Sequence, residues 1–134
     1  MLRELSDAEI RFVLVGGLAV NAWGYLRTTQ DVDVVPDPSA ANLAKLDTVL
    51  RGLDGKVEVG GRLLAGSAIS TFHVLQGLPQ IPPFAVLDEK ATAVDMDGLV
   101  VRVCSLEHLI EMKRASNRPR DLDDLEALRA ANSE

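Results

Sequence analysis

Short apolar runs alternate with longer amphipathic stretches along this 134-residue chain. Runs rich in valine and leucine predict strands where glycine, proline or acidic residues bound them. Apolar residues that recur every three to four positions predict helices, as Leu43, Leu46 and Leu50 do after Ser39. The two kinds of pattern alternate, which indicates an α/β (α+β) fold: a mixed β-sheet with helices packed on it.

The predicted elements can be placed along one expected domain that spans residues 1–134. Helices are predicted over 3–9, 17–25, 39–53, 105–114 and 119–131, and strands over 11–15, 31–35, 56–59, 69–75, 90–95 and 99–104. Ser105 is a candidate N-cap, and Pro119 suits the first position of the last helix. Asp97-Gly98 predicts a hairpin turn, whereas the proline-rich segment 77–83 predicts a loop.

Two short motifs near the N-terminus carry the candidate chemistry. Gly16-Gly17 interrupts a strand just before a helix, where glycine lets backbone N–H groups approach an anion. Asp31 and Asp33 alternate with valines, so in a strand both carboxylates leave from one face and can share a divalent cation. Each motif alone is commonly a turn or a solvated strand end. Their order and spacing together indicate nucleotide chemistry.

The segment from Phe12 to Val35 resembles the core signature of the minimal nucleotidyltransferase family, which has a polymerase β-like fold. The string Arg27-x-Thr29-x-Asp31-x-Asp33 looks like the small bacterial branch that includes abortive-infection-type toxin nucleotidyltransferases. The resemblance implies that Gly16, Gly17, Arg27 and Thr29 contact the nucleotide. It also implies that Asp31 and Asp33 hold Mg²⁺, or Mn²⁺, for transfer from a nucleoside triphosphate to an acceptor hydroxyl.

The C-terminal part is also similar to that branch. Lys113 falls on the apolar stripe of its predicted helix, and Asp121 lies in the first turn of the next helix. The resemblance implies that Lys113 contacts phosphates, with Asp121 close to it and Arg120 beside the nucleotide. Two structural interpretations stay open: the Lys113 stem covers apolar surface, or Asp121 serves only as a helix-terminus charge.

One position departs from the family pattern. Members of the family usually carry a third carboxylate on a later strand, and the matching position here holds His73. Three interpretations follow: His73 is a general base, it is a metal ligand, or the transferase activity has been lost. A half-buried histidine with an ordinary structural role is a further alternative.

Composition and charge limit the function classes. Net charge is −6, which argues against a broad nucleic-acid footprint, although Lys113, Arg114, Arg118 and Arg120 form a local basic cluster. That cluster either complements a helix C-terminus or contacts a nucleotide or RNA end. No apolar stretch predicts a membrane span or signal peptide, and Cys104 is a single cysteine, so a cytoplasmic protein is expected.

The sequence therefore predicts a metal-dependent nucleotidyltransferase that acts on an RNA end or a protein. A toxin–antitoxin component with a cognate partner, and a homodimer, are further expectations. The alternative is a catalytically inactive nucleotidyltransferase-like module that binds a nucleotide or a protein partner. The sequence names neither the acceptor nor the preferred base.

Overall fold

A computed structural model of the chain describes residues 2–26, 31–52, 56–59, 62–65, 71–75 and 78–132. Within these ranges there are six helices and seven strands. The helices are α1 (Leu2–Asp7), α2 (Gly16–Ala22), α3 (Ala40–Arg51), α4 (Phe84–Lys90), α5 (Leu106–Ser116) and α6 (Pro119–Asn132). The strands are β1 (Phe12–Val15), β2 (Asp31–Pro36), β3 (Lys56–Val59), β4 (Arg62–Ala65), β5 (Thr71–Val74), β6 (Thr92–Met96) and β7 (Leu99–Val103).

The described strands form one mixed sheet in the order β4-β3-β5-β2-β1-β7-β6. Strand β1 runs antiparallel to β2 and parallel to β7, while β5 runs parallel to both β2 and β3. All four residues of β1 are buried, since helices cover this central strand. The predicted α/β (α+β) class with a mixed sheet is confirmed.

Local signals set several element boundaries as predicted. The Ser105 hydroxyl accepts a hydrogen bond from the His108 N–H at 3.1 Å and caps α5, and Pro119 begins α6. Asp97 and Gly98 both have positive φ, 61° and 87°, in the turn between β6 and β7. A primed hairpin turn requires such angles, which is why Asp-Gly marks this position in the sequence.

Two elements were not predicted, and several boundaries differ: α1 and α2 end at Asp7 and Ala22, before the predicted ends at 9 and 25. Helix α4 includes Lys90, for which the sequence pattern predicts a strand; the strand begins at Thr92 instead. This helix has only seven residues and buries Phe84 and Leu87, too few apolar positions for a recognisable period. Strand β4, which pairs with β3, was also missed. The predicted end of the helix at 53 and the predicted start of the strand at 69 lie outside the described residues.

Candidate active site

The two predicted carboxylates begin strand β2. Asp31 and Asp33 are partly buried and, two residues apart in a strand, project from the same face. Asp33 lies opposite Val15, the last residue of β1, and opposite His73 in β5. The carboxylates therefore lie between the glycine turn that follows β1 and strand β5.

Gly16 allows the Asp33 side chain to approach the backbone. Its φ is +69°, a left-handed conformation that disfavours residues with a Cβ atom. A Cβ atom added to Gly16 would overlap the Asp33 carboxylate, so the glycine is required by contact as well as by conformation. Gly17 is buried in the first turn of α2. The glycine turn thus brings the backbone and a carboxylate close together.

His73 directly contacts one of the carboxylates. Its Nδ1 atom lies 2.6 Å from Asp33 Oδ1, and both side chains are mostly buried. This short contact does not have hydrogen-bond geometry. Asp33 Oδ1 is buried, and no donor among the described residues is aligned with it. The ring therefore lies directly beside the Asp33 carboxylate.

Lys113 belongs to a buried charge cluster that we call the Lys113 cluster: Lys113, Arg118, Asp121 and Asp124. The Lys113 ammonium donates to Asp121 Oδ1 at 3.0 Å and lies 2.9 Å from Asp124 Oδ2. Lys113 is only 6% exposed, and both aspartates are 0% exposed. The expected proximity of Lys113 and Asp121 is therefore present, and the ammonium already faces two carboxylates.

Arg118 completes this cluster from the surface. Its Nε atom donates to Asp121 Oδ2 at 2.9 Å, and its backbone N–H donates to the same oxygen at 3.2 Å. Asn117, with φ of 49°, ends α5 in a left-handed conformation, which turns the chain so that Arg118 meets Asp121. The pKa of Arg118 is raised, first by the hydrogen bond to Asp121 and further by negative charges that include Asp33.

The carboxyl group of Asp121 is held in its ionised form. Burial by itself would raise the pKa of Asp121, but hydrogen bonds from Arg118, Ser116 and Lys113 outweigh it and lower the pKa. A carboxyl group whose pKa is lower in the folded than in the unfolded protein stabilises the folded state at every pH above its unfolded pKa, which is about 3.9 for aspartate. That stability is lost as the pH falls toward the folded pKa.

We therefore expect wild type and an Asp121→Asn variant to differ most in unfolding free energy near neutral pH. The difference should shrink progressively below about pH 4, because the unfolded wild type then binds a proton at Asp121 that the folded protein does not bind. Urea unfolding at pH 7, 5, 4 and 3 measures it. A difference that stays constant down to pH 3 would show that the charge of Asp121 contributes nothing.

These groups line one cavity of about 230 Å³ with walls of distinct chemistry. One wall is acidic and carries Asp31, Asp33 and His73 beside Gly16 and Gly17. Lys113, Ser116, Arg118, Arg120 and Asp121 contribute a second, mostly cationic wall. The remaining wall is mainly apolar, with Gln80 among Leu75, Leu78, Ile81, Leu109 and Met112. Such a cavity suits a ligand that has both a phosphate group and an apolar or aromatic part.

A larger cavity of about 510 Å³ lies near the opposite end of β1, beside Ile10, Arg11 and Phe12. Its charged side chains neutralise one another. Arg11 pairs with Asp37 at 2.9 Å, and Arg102 pairs with Asp88 at 2.7 Å. The candidate chemistry therefore remains at the smaller cavity.

All of the predicted site residues that the structure describes converge at the smaller cavity. These are Gly16, Gly17, Asp31, Asp33, His73, Lys113, Arg120 and Asp121. The predicted contacts Arg27 and Thr29 lie outside the described residues. Sequence reasoning missed Asp124, although its spacing of three residues from Asp121 places the two on one helix face. It also missed Gln80 and Ser116, for which the sequence carries no evident signal.

No group of three or more histidine, cysteine or acidic side chains is arranged for a metal ion among the described residues. Two carboxylates are nevertheless sufficient for Mg²⁺, which commonly uses one or two carboxylates together with substrate phosphates. Asp31 and Asp33, which project from one face of β2 and line the same cavity, supply such a pair of carboxylates. Within the described ranges, no helix is long and apolar enough to cross a membrane.

Comparison with known structures places this architecture in the nucleotidyltransferase fold. An antigenic nucleotidyltransferase-like protein from Paracoccidioides brasiliensis matches with a TM-score of 0.63 and 20% identity, over 94% of this chain and 70% of that one. ANT(2″)-Ia in complex with adenylyl-2″-tobramycin matches with a TM-score of 0.58 and 16% identity, over 97% and 84%. The solution structure of the antibiotic-resistance factor ANT(2″)-Ia matches at 0.55 and 18%, over 97% and 77%. At these identities the likeness establishes the fold.

Comparison with protein families then identifies the family. Residues 2–133 match the family described as "Nucleotidyltransferase of unknown function (DUF6036)", and the chain belongs to it. No curated protein sequence matches the chain. The expected resemblance to nucleotidyltransferases is thus confirmed, whereas the comparisons give no support to the abortive-infection toxin branch.

Proposed function

We propose that this protein transfers a nucleoside monophosphate from a nucleoside triphosphate to an acceptor hydroxyl. The observation that carries the proposal is the Asp31–Asp33 pair beside the Gly16-Gly17 turn in one cavity with cationic side chains. Family membership supports the general reaction. A structural neighbour is bound to adenylyl-2″-tobramycin, a compound that carries a nucleotidyl group, which supports the same chemistry here.

Asp31 and Asp33 are proposed to hold Mg²⁺ or Mn²⁺. When bound, the cation would neutralise charge on the phosphates and help to orient them. Gly16 and Gly17 would let the backbone approach those phosphates closely. Arg120 would add positive charge at the cavity rim, and the apolar wall with Leu78 and Ile81 would pack against the base.

His73 is proposed as the base for the acceptor hydroxyl. Its Nδ1 atom faces Asp33, so a hydrogen on Nδ1 leaves Nε2 as the basic nitrogen of the ring. In the reaction, the acceptor oxygen forms a bond to the α-phosphorus, its proton goes to His73, and the bond to the departing pyrophosphate breaks. The acceptor is proposed to be an RNA end or a protein hydroxyl.

The alternative is a module that binds a nucleotide or protein partner without transfer. One observation favours it: an imidazole, instead of a third carboxylate, contacts Asp33 at 2.6 Å. A toxin–antitoxin role with a cognate partner, and a homodimer, remain proposals from the sequence resemblance alone.

Transfer of a radioactive label tests the function. Purified protein is incubated with Mg²⁺ and each of the four nucleoside triphosphates, labelled on the α- or on the γ-phosphate, together with cellular RNA or protein. Transfer predicts label in the acceptor from the α-position only, because pyrophosphate leaves with the γ-phosphate.

A His73→Asn variant should retain nucleotide binding and lose roughly a hundredfold or more in transfer rate, the usual contribution of a general base. No α-label in any acceptor, with nucleotide binding intact, favours the inactive module. Equal transfer by His73→Asn and wild type would remove His73 from the mechanism.

A further inference from the structure

Lys113 and Arg118 differ sharply in what their charges can reach. The Lys113 ammonium is buried and lies within 3.0 Å of carboxylate oxygens from Asp121 and Asp124. The Arg118 side chain, by contrast, is 68% exposed and lines the cavity that holds Asp31 and Asp33. Lys113 also lines that cavity, but its ammonium already contacts two carboxylates and its side chain is only 8% exposed, so Arg118 is the better placed of the two to present donors to a phosphate.

The charges in the Lys113 cluster balance one another. Two cations, Lys113 and Arg118, face two carboxylates, Asp121 and Asp124. Removing a buried ammonium from such partners to bind a ligand would leave uncompensated buried charge, which is strongly unfavourable. A ligand can contact the outer edge of Arg118 without such a penalty, because the guanidinium has five donors and Asp121 takes two of them, Nε at 2.9 Å and Nη2 at 3.4 Å.

The geometry of Arg118 resembles a prepared anion contact. Asp121 fixes the guanidinium through Nε at 2.9 Å, and fixes the backbone of the same residue through its N–H at 3.2 Å. Asp121 is itself fixed by Lys113, so the buried part of the cluster supports the exposed part. A planar guanidinium held in this way can bind phosphate oxygens through two parallel donors.

We propose that Arg118 is the cation of this cluster that binds the phosphates of the nucleotide, and that Lys113 is a positioning residue that holds Asp121 beneath Arg118. This assignment rests on the proposed nucleotide site and changes the role that the sequence resemblance gave to Lys113. Asp124 then completes the support. The Asp121 carboxylate is shared between Lys113 and Arg118, so the Asp124 carboxylate supplies the rest of the negative charge that Lys113 needs.

Calorimetric titration with inorganic pyrophosphate, in the absence of divalent metal, tests the assignment. An Arg118→Ala variant should bind pyrophosphate about tenfold more weakly than wild type, the effect of losing one charge-assisted two-point contact. The matched control is Arg114→Ala, because Arg114 is an exposed cation of α5 whose own side chain does not line the cavity. The control should bind within about twofold of wild type, as a change in net charge alone is screened by salt.

A second variant separates positioning from direct contact. Lys113→Met combined with Asp124→Asn removes one buried cation and one buried anion, and keeps the Arg118–Asp121 pair. Its pyrophosphate affinity should stay within about threefold of wild type, because the phosphate contact is retained. A loss as large as that of Arg118→Ala would make Lys113 the ligand and overturn the proposal. If circular dichroism shows this variant unfolded, the comparison of Arg118→Ala with Arg114→Ala decides.

The proposal also fails if Arg118→Ala and wild type bind pyrophosphate equally, or if neither binds it. Its failure is distinguishable from failure of the proposed function. Label transfer with pyrophosphate binding independent of Arg118 would overturn only the role of Arg118. Binding that depends on Arg118 without any label transfer would leave an anion site and overturn only the transferase activity.

Discussion

A double variant with Asp31→Asn and Asp33→Asn is expected to lose nucleotidyl transfer by at least about a thousandfold while remaining folded. Asparagine keeps the size of each side chain but removes both negative charges, so the site can no longer compensate a divalent cation. Such a cation contributes several kcal/mol to stabilising the transition state, and each 1.4 kcal/mol corresponds to about tenfold in rate. Calorimetric titration of Mg²⁺ with nucleoside triphosphate, together with the α-label assay, measures binding and transfer separately.

The chain supplies a closely matched control. Asp95 and Asp97 form a second Asp-x-Asp sequence, at the end of β6 and in the following turn, and both are exposed. The double change Asp95→Asn, Asp97→Asn alters net charge by the same amount. The amide that replaces the Asp95 carboxylate keeps an oxygen to accept from the Gly98 N–H. This control should transfer label and bind nucleotide as wild type does.

Three results distinguish the explanations for the two double variants. Loss of activity in the Asp31, Asp33 variant alone supports the metal site. Equal loss in both variants would attribute the effect to net charge instead. Unchanged metal-dependent binding and transfer in the Asp31, Asp33 variant would contradict the site assignment outright. Unfolding curves for both variants confirm that each comparison is made between folded proteins.

Lys113→Met is expected to reduce the free energy of unfolding by about 3–5 kcal/mol, the usual effect of removing one partner from a buried ion pair. Methionine fills most of the lysine volume, so little of the loss comes from a cavity. The cost arises because the buried carboxylates of Asp121 and Asp124 lose the ammonium that both contact. Urea unfolding at pH 7 measures the change, which is a large fraction of the total stability of a typical domain.

Lys90→Met is the matched control, since it makes the same substitution at an exposed lysine. Lys90 lies 3.8 Å from Glu107, and both side chains are more than half exposed. Surface pairs of this kind contribute at most about 1 kcal/mol. A loss for Lys113→Met no larger than that for Lys90→Met would mean that the buried cluster contributes little to stability. Recovery of stability on adding Asp124→Asn would support charge imbalance as the cause.

The order of most elements and the position of the acidic strand could be predicted from the sequence, because both depend on local pattern. Asp31 and Asp33 share a face since side chains alternate along a strand, whatever surrounds it. The hairpin at Asp97-Gly98 follows from backbone angles that few other residues adopt. Helix α4 escaped prediction because its two buried residues are held by tertiary packing against β1, with too short a run to show a period.

The sequence by itself determined the fold class, the glycine turn, the paired carboxylates and the positions of Lys113 and Asp121. Only the tertiary structure decided that His73 contacts Asp33, that Gly16 has no room for a Cβ atom, and that Asp124 joins Asp121 around Lys113. The physical reason is that these contacts join residues from separate elements. A local pattern shows which face a side chain occupies, but the distance between two charges is set by strand register and helix packing.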